Sequence, residues 1–464
     1  MNICILVNKN HLITKKEMQK IDLIETQNID NETIQVERNT YQAFQELKKY
    51  CESIHIKIGI ASAYRDFDYQ QRIQEYYKEK KGEDYCNKYV APIGASEHHT
   101  GLAIDFYIEE NGSFPEDDLS IAENEKYKEV HKILKDFGFI LRYPKGKENI
   151  TGYEYEAWHI RYVGKVVAKI CYENNLTLEE YLSSFRGILV INKPKGITSF
   201  DAVHQVSNLF GIKKVGHTGT LDPLAEGVLV VCIGEATKVV ELLTANDKEY
   251  IAGVKLGIKT DTYDIDGEVL EKKEVPENLP IEEVVSSFQK TYMQEVPIYS
   301  AVKVNGKKLY EYARKKETVE LPKKEVTIKR IELLEQTKDT FTFKANVTKG
   351  CYIRSLINDI GNQLNTYATM TSLIRTKQGK FTLEEAISLE DLEQGNYTIR
   401  TIEEALPYKQ VVVSNDLSYK IKNGVKLKND WNVLDKVIFK DQNNKLLGIY
   451  EVDNDFLKVW KNFN

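Results

Sequence analysis

Two groups of residues in this 464-residue chain have the types and spacing to do chemistry. The first is His98, Asp105 and His159, with Glu156 just ahead of the last. Two imidazoles and one carboxylate can hold a zinc ion and leave a fourth position for water. His98 and Asp105 stand seven residues apart across Gly101, which suits ligands supplied by a turn and by the strand after it. His159 would close the site, and a carboxylate must take a proton from the water. Glu156 is the candidate base. On strand alternation it shares a face with Trp158 rather than His159, so a local bend is needed to bring it in. His99 is not expected to be a ligand. The second group centres on Asp222, within Gly216-His217-Thr218-Gly219-Thr220-Leu221-Asp222-Pro223-Leu224-Ala225-Glu226-Gly227. Three glycines and a proline in twelve residues describe a tight loop rather than a helix or strand. Asp-Pro also opens ordinary turns, so Asp222 alone reads equally as a turn residue or as a functional carboxylate.

The elements that must position these groups are partly legible. A helix is expected from about Thr40 to Ser53, with Phe44, Leu47, Tyr50 and Cys51 at helical spacing. A strand, Ile56 to Ala61, leads to a charged, tyrosine-rich helix ending near Lys81. The N-terminal run Met1 to His11 reads as a first strand; it is too short for a signal peptide and no basic region precedes it. Leu176 to Leu182 reads as a helix capped by Thr177. Strand Ile188–Asn192 then opens a second part, with no Pro/Gly/Ser-rich linker and no Met between the two. The junction therefore reads as a tight in-frame fusion. Lys193-Pro194-Lys195-Gly196-Ile197-Thr198-Ser199 ends in an N-cap signal for a helix over Phe200–Phe210. An apolar strand, Val228 to Ile233, follows the Asp222 loop. Lys248 begins another strand, and Thr260 to Glu268 is a polar turn. After about Leu406 come short alternating runs, Gln410–Val413, Lys436–Phe439 and Leu446–Tyr450, which read as a small β-rich module.

The length suggests two or three domains. No apolar run approaches the roughly 20 residues of a membrane span. The six cysteines are scattered with no Cys-x-x-Cys pair, which argues against a disulfide framework and a thiolate zinc knuckle. Together these features point to the cytoplasm. The net charge of −6 is uneven: residues 1–183 carry 24 Lys and Arg against 31 Asp and Glu, a net −7, and the remainder is +1. The first part is poorly suited to gripping phosphates. In residues 301–330, ten basic residues stand against four glutamates, interleaved with Tyr310 and Tyr312. That pattern favours a nucleic-acid backbone surface.

The strings Ser96-x-His98-x-x-Gly101-x-Ala103-x-Asp105 and Glu156-x-Trp158-His159 resemble the VanY-type D-alanyl-D-alanine carboxypeptidases, over most of residues 3–182 and including Leu6-Val7-Asn8-Lys9. The resemblance implies His98, Asp105 and His159 as zinc ligands and Glu156 as general base. It implies Arg65, in Ser-x-Tyr-Arg, as receiver of the substrate's terminal carboxylate, a bidentate task for a guanidinium. Ser96 and Gln70 follow as substrate-side polar groups. The substrate implied is a short peptide ending in D-Ala. Ala157 stands where the family usually has Pro, and no export signal is evident. A metal-bearing interaction module without turnover is the alternative for this part.

The Asp222 string resembles the active-site loop of the TruB family of tRNA pseudouridine synthases. So do Lys248-Glu249-Tyr250, Gln294 to Lys303 and Thr348 to Leu356, from about Gly187 to Phe381, with Val296 where the family commonly has Pro. This implies isomerisation of uridine 55 in the T-loop of tRNA, without a cofactor. Asp222 would be the reacting carboxylate and Arg354 its positive partner. Tyr250 would stack on the uracil and move the C5 proton, and Tyr352 would line the pocket. His217 and Lys193 would contact RNA, and Leu373 would pack at the floor. An RNA-binding protein without catalysis is the competing class. The expected fold class is α+β throughout: a zinc peptidase-like domain over 1–183, a synthase domain with a mixed, largely antiparallel sheet over 184–406, and the β-rich, RNA-binding-like module over 407–464. A monomer is expected, with no membrane partner. Each side holds a complete motif set, so the two activities are expected to be separable.

Overall fold

The computed structural model describes residues 2–110, 112–113, 121 and 124–463. It is α+β and divides into two compact units. Unit 1 comprises Met1–Phe185 together with Gln205–Lys213 and Glu390–Tyr397; unit 2 comprises Arg186–His204, Lys214–Leu389 and Thr398–Asn464. Unit 1 is therefore discontinuous in sequence.

In unit 1, strands β1 (Leu23–Gln27) and β2 (Thr33–Glu37) form a hairpin, and helix α1 spans Arg38–Ser53. Glu37 caps α1 by accepting from Thr40 N. Phe44, Leu47 and Cys51 are buried, whereas Tyr50 faces outward. Then come β3 (Ile58–Ser62), α2 (Phe67–Lys81) and α3 (Glu83–Tyr89). They are followed by β4 (Ala103–Ile108), β5 (Phe139–Leu141) and β6 (His159–Tyr162). Among the described residues these strands form a sheet in the order β3-β4-β6-β5. Helices α4 (Lys165–Glu173) and α5 (Leu178–Ser184) complete the N-terminal stretch, the latter with a Thr177/Glu180 capping box.

The expected N-terminal strand is not formed: residues 2–13 hold one isolated bridge, between Asn8 and His11. The carbonyls of Ile3 and Ile5 instead accept from the Arg161 guanidinium, both at 2.9 Å. Apolar character brought this run inside, but a buried arginine took the acceptors that a sheet neighbour would need. At the other end of the unit, the Tyr181 hydroxyl donates to the Phe210 carbonyl at 2.8 Å, and the Tyr397 hydroxyl to that of Val166 at 3.0 Å.

Unit 2 is built on a nine-stranded sheet among the described residues. Its strands include β7 (Arg186–Lys193), β8 (Val215–His217), β9 (Ala225–Gly234) and β10 (Lys248–Leu256). Further along are β11 (Thr291–Glu295), β12 (Lys323–Gln336), β13 (Thr340–Val347) and β14 (Ala368–Gln378). The order is β11-β12-β13-β10-β14-β9-β7, with β8 paired to β9. All these pairs are antiparallel except β14 with β9. Helix α6 (Ser199–Phe210) follows β7, and α7 (Ile353–Gln363) follows β13. One apolar cluster joins Leu221, Leu224 and Tyr250 to Phe343, Leu356 and Leu373.

The last residues form a five-stranded sheet. Lys409–Val412, Lys436–Lys440 and Leu446–Asp453 are three of its strands. Ile438 and Ile449 pack in one cluster with Ile188 and Val230 of the larger sheet.

Candidate active sites

In unit 1 the sheet lines up the first group. Asp105 on β4 pairs directly with His159, the first residue of β6, and Ser62 of β3 is its partner on the other side. His98 sits in a short 3-10 turn, Glu97–Thr100, closed by Gly101 at φ +68°. A Cβ at Gly101 would lie 3.0 Å from Leu23 Cδ2 and 3.1 Å from Glu37 N, so glycine is required there on both conformation and space. His98 Nδ1 lies 2.5 Å from the Ala63 carbonyl. A carbonyl only accepts, so Nδ1 carries the proton and Nε2 is left facing Asp105 Oδ2 at 3.2 Å. His159 turns Nδ1 to Asp105 Oδ1 at 3.0 Å. One ligand atom from each of the three residues lies within 4.8 Å of the others.

Burial pushes His98 down to about 4, reinforced by Arg65. Burial alone would raise Asp105, but His98 and Arg65 outweigh it and hold the carboxyl well below its usual range. Burial opposes the charged form of His159 as well, yet the Asp105 and Glu97 carboxylates beside it lift it to about 9. Glu156 Oε2 lies 3.6 Å from His159 Nδ1. Strand alternation does not govern it, because β6 begins only at His159 and residues 156–158 are irregular.

Arg65 donates from Nη2 to Asp105 Oδ2 at 2.6 Å and from Nε to Ser62 Oγ at 2.9 Å. Gln70 donates to the Ala91 carbonyl at 2.8 Å. Arg65, Gln70, Ser96 and Glu156 all line one cavity of about 930 Å³ with the three ligand candidates, and it continues along Tyr77 and Tyr85. His99 uses both ring nitrogens structurally, against the Arg65 carbonyl at 2.7 Å and Gly94 N at 3.2 Å.

One buried residue beside this site escaped the sequence reading. Glu97 accepts from Arg142 Nε at 2.8 Å and Arg161 Nη1 at 2.7 Å, and all three are essentially inaccessible. The available signal was an arginine inside each of two apolar runs, Ile140-Leu141-Arg142-Tyr143 and His159-Ile160-Arg161-Tyr162. A charge in such a run needs a buried counter-charge.

In unit 2 the Asp222 loop links β8 to β9 and is pinned from three sides. Ser199 Oγ, at the start of α6, donates to the Leu221 carbonyl at 3.0 Å and accepts from Leu221 N at 2.8 Å. Arg375 on β14 donates to the Gly219 carbonyl at 3.0 Å and the Val228 carbonyl at 2.6 Å. Gln378 donates to the Thr218 carbonyl at 3.2 Å. Gly227, at φ +102°, permits the parallel approach of β14, since a Cβ there would meet Arg375 O at 2.4 Å.

Arg354, in the first turn of α7, brings Nε to 3.0 Å from Asp222 Oδ2. Its other nitrogens donate to the carbonyls of Thr262 and Tyr299, both at 3.0 Å. Asp264 Oδ2 lies 3.6 Å from Nη1. The polar turn read from the sequence thus supplies a second carboxylate, Asp264, and one of the two carbonyls that hold Arg354, that of Thr262. Burial raises Asp264 above the ordinary carboxylate range.

Tyr250 is buried on β10, opposite Arg375 in register, and burial pushes its hydroxyl up. Tyr352 is half-buried at the N-cap of α7. Gln294 grips its backbone from both sides, accepting from Tyr352 N at 2.8 Å and donating to its carbonyl at 3.2 Å. Leu373 is in the core cluster with Tyr250 and pairs in parallel with Ala225. His217 is half-buried and accepts from Gly219 N at 3.3 Å. Burial lowers it, with Arg375 acting in the same direction.

Lys193 turns inward in this structure. Its side chain is buried, and Nζ donates to the carbonyls of Pro194 at 2.8 Å and Ile197 at 2.7 Å. Burial lowers it to about 8. The ammonium ties its own Pro/Gly loop together, because turn carbonyls buried away from water need a donor. In the basic stretch, Arg314, Lys315, Lys316, Lys323 and Lys324 are exposed. Lys307 lies over Tyr312 at 4.2 Å and pairs with Glu317.

Unit 2 thus combines a mixed sheet, a pinned glycine-rich loop whose Asp222 meets a buried arginine, and a buried strand tyrosine. Residues 207–353 match the model of the TruB family pseudouridylate synthase N-terminal domain, and residues 354–416 that of the tRNA pseudouridylate synthase B C-terminal domain. The chain is 42% identical over 285 residues to tRNA pseudouridine synthase B of Clostridium tetani, covering 98% of that protein and 59% of this chain. It is 46% identical over 275 residues to the Clostridium novyi enzyme, covering 93% of that protein and 58% of this chain. The chain belongs to the TruB family of tRNA pseudouridine synthases.

Ahead of that region, residues 33–165 match the D-alanyl-D-alanine carboxypeptidase model of VanY type, so a VanY-type domain is joined to the synthase. Among solved structures, a D,D-pentapeptidase VanY with Zn(II) is 31% identical, covering 99% of that chain and 39% of this one, at TM-score 0.33. An H/ACA RNP bound to a substrate RNA is 23% identical, covering 88% of that chain and 63% of this one, at TM-score 0.47. Among the described residues, no helix is long and apolar enough to cross a membrane.

Proposed function

We propose that unit 2 converts uridine 55 in the T-loop of tRNA to pseudouridine, with Asp222 as the reacting carboxylate. The observation that carries this is the open Asp222 carboxylate held at 3.0 Å by a buried Arg354. The bond from N1 to C1′ breaks, the base turns over, and C5 bonds to C1′. The proton released from C5 passes to a nearby base, with the Tyr250 hydroxyl as the candidate relay, and N1 gains one, so atoms and electrons are conserved and no redox partner is called for. Asp222 attacks or stabilises the reacting centre, and Arg354 holds the carboxylate in place. Tyr250 and Tyr352 offer ring faces to the uracil. The target base must leave its stack, at a cost of a few kcal/mol. The exposed Arg314–Lys316 and Lys323–Lys324 cations suit the phosphate backbone that supplies this binding energy. Asp222→Asn tests the reading: pseudouridine formation on a T-loop transcript should vanish while tRNA binding stays near wild type. Wild-type turnover by the variant would remove Asp222 from the active site.

For unit 1 we propose a zinc-dependent carboxypeptidase acting on short peptides ending in D-Ala. The donor set fits a zinc ion: two neutral-capable imidazoles and a carboxylate converge within 4.8 Å, and the buried Asp105 Oδ1 has no aligned hydrogen-bond donor. His98, Asp105 and His159 would hold the metal, which supplies Lewis acidity when bound. Arg65 would receive the peptide's terminal carboxylate, with Ser96 and Gln70 along the chain behind it. Glu156 would take the proton from the attacking water and return it to the leaving D-Ala amine. Its place 3.6 Å from His159 favours turnover over a purely structural metal.

A further inference from the structure

The metal reading of unit 1 accounts for His98, Asp105, His159 and Glu156, but not for Glu97. This glutamate lies in the turn that carries His98, fully buried. Its Oε1 accepts from both Arg142 and Arg161, while its Oε2 is buried with no hydrogen-bond partner. His159 shows the counterpart. Its Nδ1 faces Asp105 and Glu156, while its Nε2 is buried and also without a partner. These two atoms face each other at 3.8 Å. Buried polar atoms without partners are rare and call for a reason. Here they are complementary, an imidazole N–H and a carboxylate oxygen, a small displacement short of a hydrogen bond.

We infer that Glu97 is the positioning residue of His159 and fixes its metal-facing tautomer; the inference rests on the metal reading of unit 1. A neutral imidazole that donates through one nitrogen presents a lone pair at the other. With Oε2 receiving the Nε2 proton, Nδ1 is left as the lone pair toward Asp105 and His98. A carboxylate on the outer nitrogen also makes the inner one a stronger ligand.

The surroundings keep Glu97 charged and still. Arg161 lies two residues beyond His159 on β6, and Arg142 N donates to the His159 carbonyl at 3.2 Å. Each arginine has its other nitrogens occupied. Arg142 donates to both Glu179 oxygens, at 3.0 and 2.6 Å, and Arg161 to the Ile3 and Ile5 carbonyls. Neutralising two arginines explains Oε1; it does not explain an Oε2 aimed at a ligand candidate.

Two conservative variants of the full chain separate a positioning role from a merely structural one. Glu97→Asp keeps the charge for the arginines but withdraws the carboxylate from His159. Glu97→Gln keeps the reach and the acceptor but removes the charge. Zinc affinity is measured by chelator competition, and stability by thermal melts of the metal-free protein. The expected orders cross: Glu97→Asp melts nearer wild type yet binds zinc about 10- to 100-fold more weakly, whereas Glu97→Gln melts lower yet keeps more of the affinity. If Glu97→Gln does not fold, the loss of zinc affinity in Glu97→Asp carries the test by itself. The same order in both measurements, or wild-type zinc affinity in Glu97→Asp, overturns the inference and leaves the metal site standing. Failure of the wild type itself to bind zinc overturns both.

Discussion

Arg354 and Asp222 meet at 3.0 Å with opposite exposures: the guanidinium side chain is 7% exposed and the carboxylate side chain 37%. The positive partner is fixed inside the protein, while the carboxylate stays open. Arg354 is anchored by the carbonyls of Thr262 and Tyr299, so its position is set before any RNA arrives. Preorganised charge of this kind costs no reorganisation during reaction.

Arg354→Lys should therefore fail despite keeping the charge. A lysine cannot reach Asp222 and both carbonyls together. Pseudouridine formation should fall by about 10²-fold or more, with a lower melting temperature. Steady-state assays on a T-loop transcript decide it; near-normal turnover would mean that the charge matters and the fork does not.

Gln294 is expected to act through Tyr352. Gln294→Leu removes both bonds to the Tyr352 backbone and should cost about 1–3 kcal/mol of stability. Because Tyr352 immediately precedes the turn carrying Arg354, kcat should also fall, by roughly 10- to 100-fold if the shift approaches 1 Å. Denaturant melts and single-turnover rates measure the two effects separately, and a folded variant with unchanged kcat would confine Gln294 to stability.

Asp359 predicts a pH dependence of stability. Burial raises its carboxyl to about 6; the Tyr292 hydroxyl, donating at 3.1 Å, pulls part of that back, and Glu295 adds to the rise. The folded state thus binds this proton more tightly than the unfolded chain. Its contribution is complete below the ordinary carboxylate value of 3.8 and is lost as pH rises through about 6. Asp359→Asn, which stays neutral, should lack this decline. Urea midpoints of both proteins between pH 4 and 7 test it, and parallel curves would show that the group does not titrate there.

Metal removal should act on unit 1 alone. Chelation should lower its melting temperature, since a ligand that binds only the folded state stabilises it. Zinc should restore it, while tRNA modification by the same sample stays unchanged. Loss of modification together with the metal would tie the synthase to unit 1.

The sequence by itself pointed to both candidate sites, because each is written in short contiguous strings. The ligand candidates His98 and Asp105 span one turn and one strand, and Asp222 lies in a loop whose glycines and proline leave few conformations. Such signals depend on local backbone rules, which one stretch of chain carries alone. The α+β class, the Thr177 cap and the strand after the Asp222 loop were legible for the same reason.

Only the tertiary structure decided what fills the remaining valences. That Glu97 faces His159, that Arg354 is held by Thr262 and Tyr299, and that Gln294 clamps Tyr352 are pairings across 55 residues or more. No periodicity encodes them; they depend on which buried polar groups the closed sheets bring face to face. The demand of buried carbonyls for donors explains two further placements. Lys193 serves the carbonyls of its own loop, and the N-terminal run gives its carbonyls to Arg161 instead of to a strand. Glu156 reaches His159 because the chain stays irregular up to the point where β6 begins.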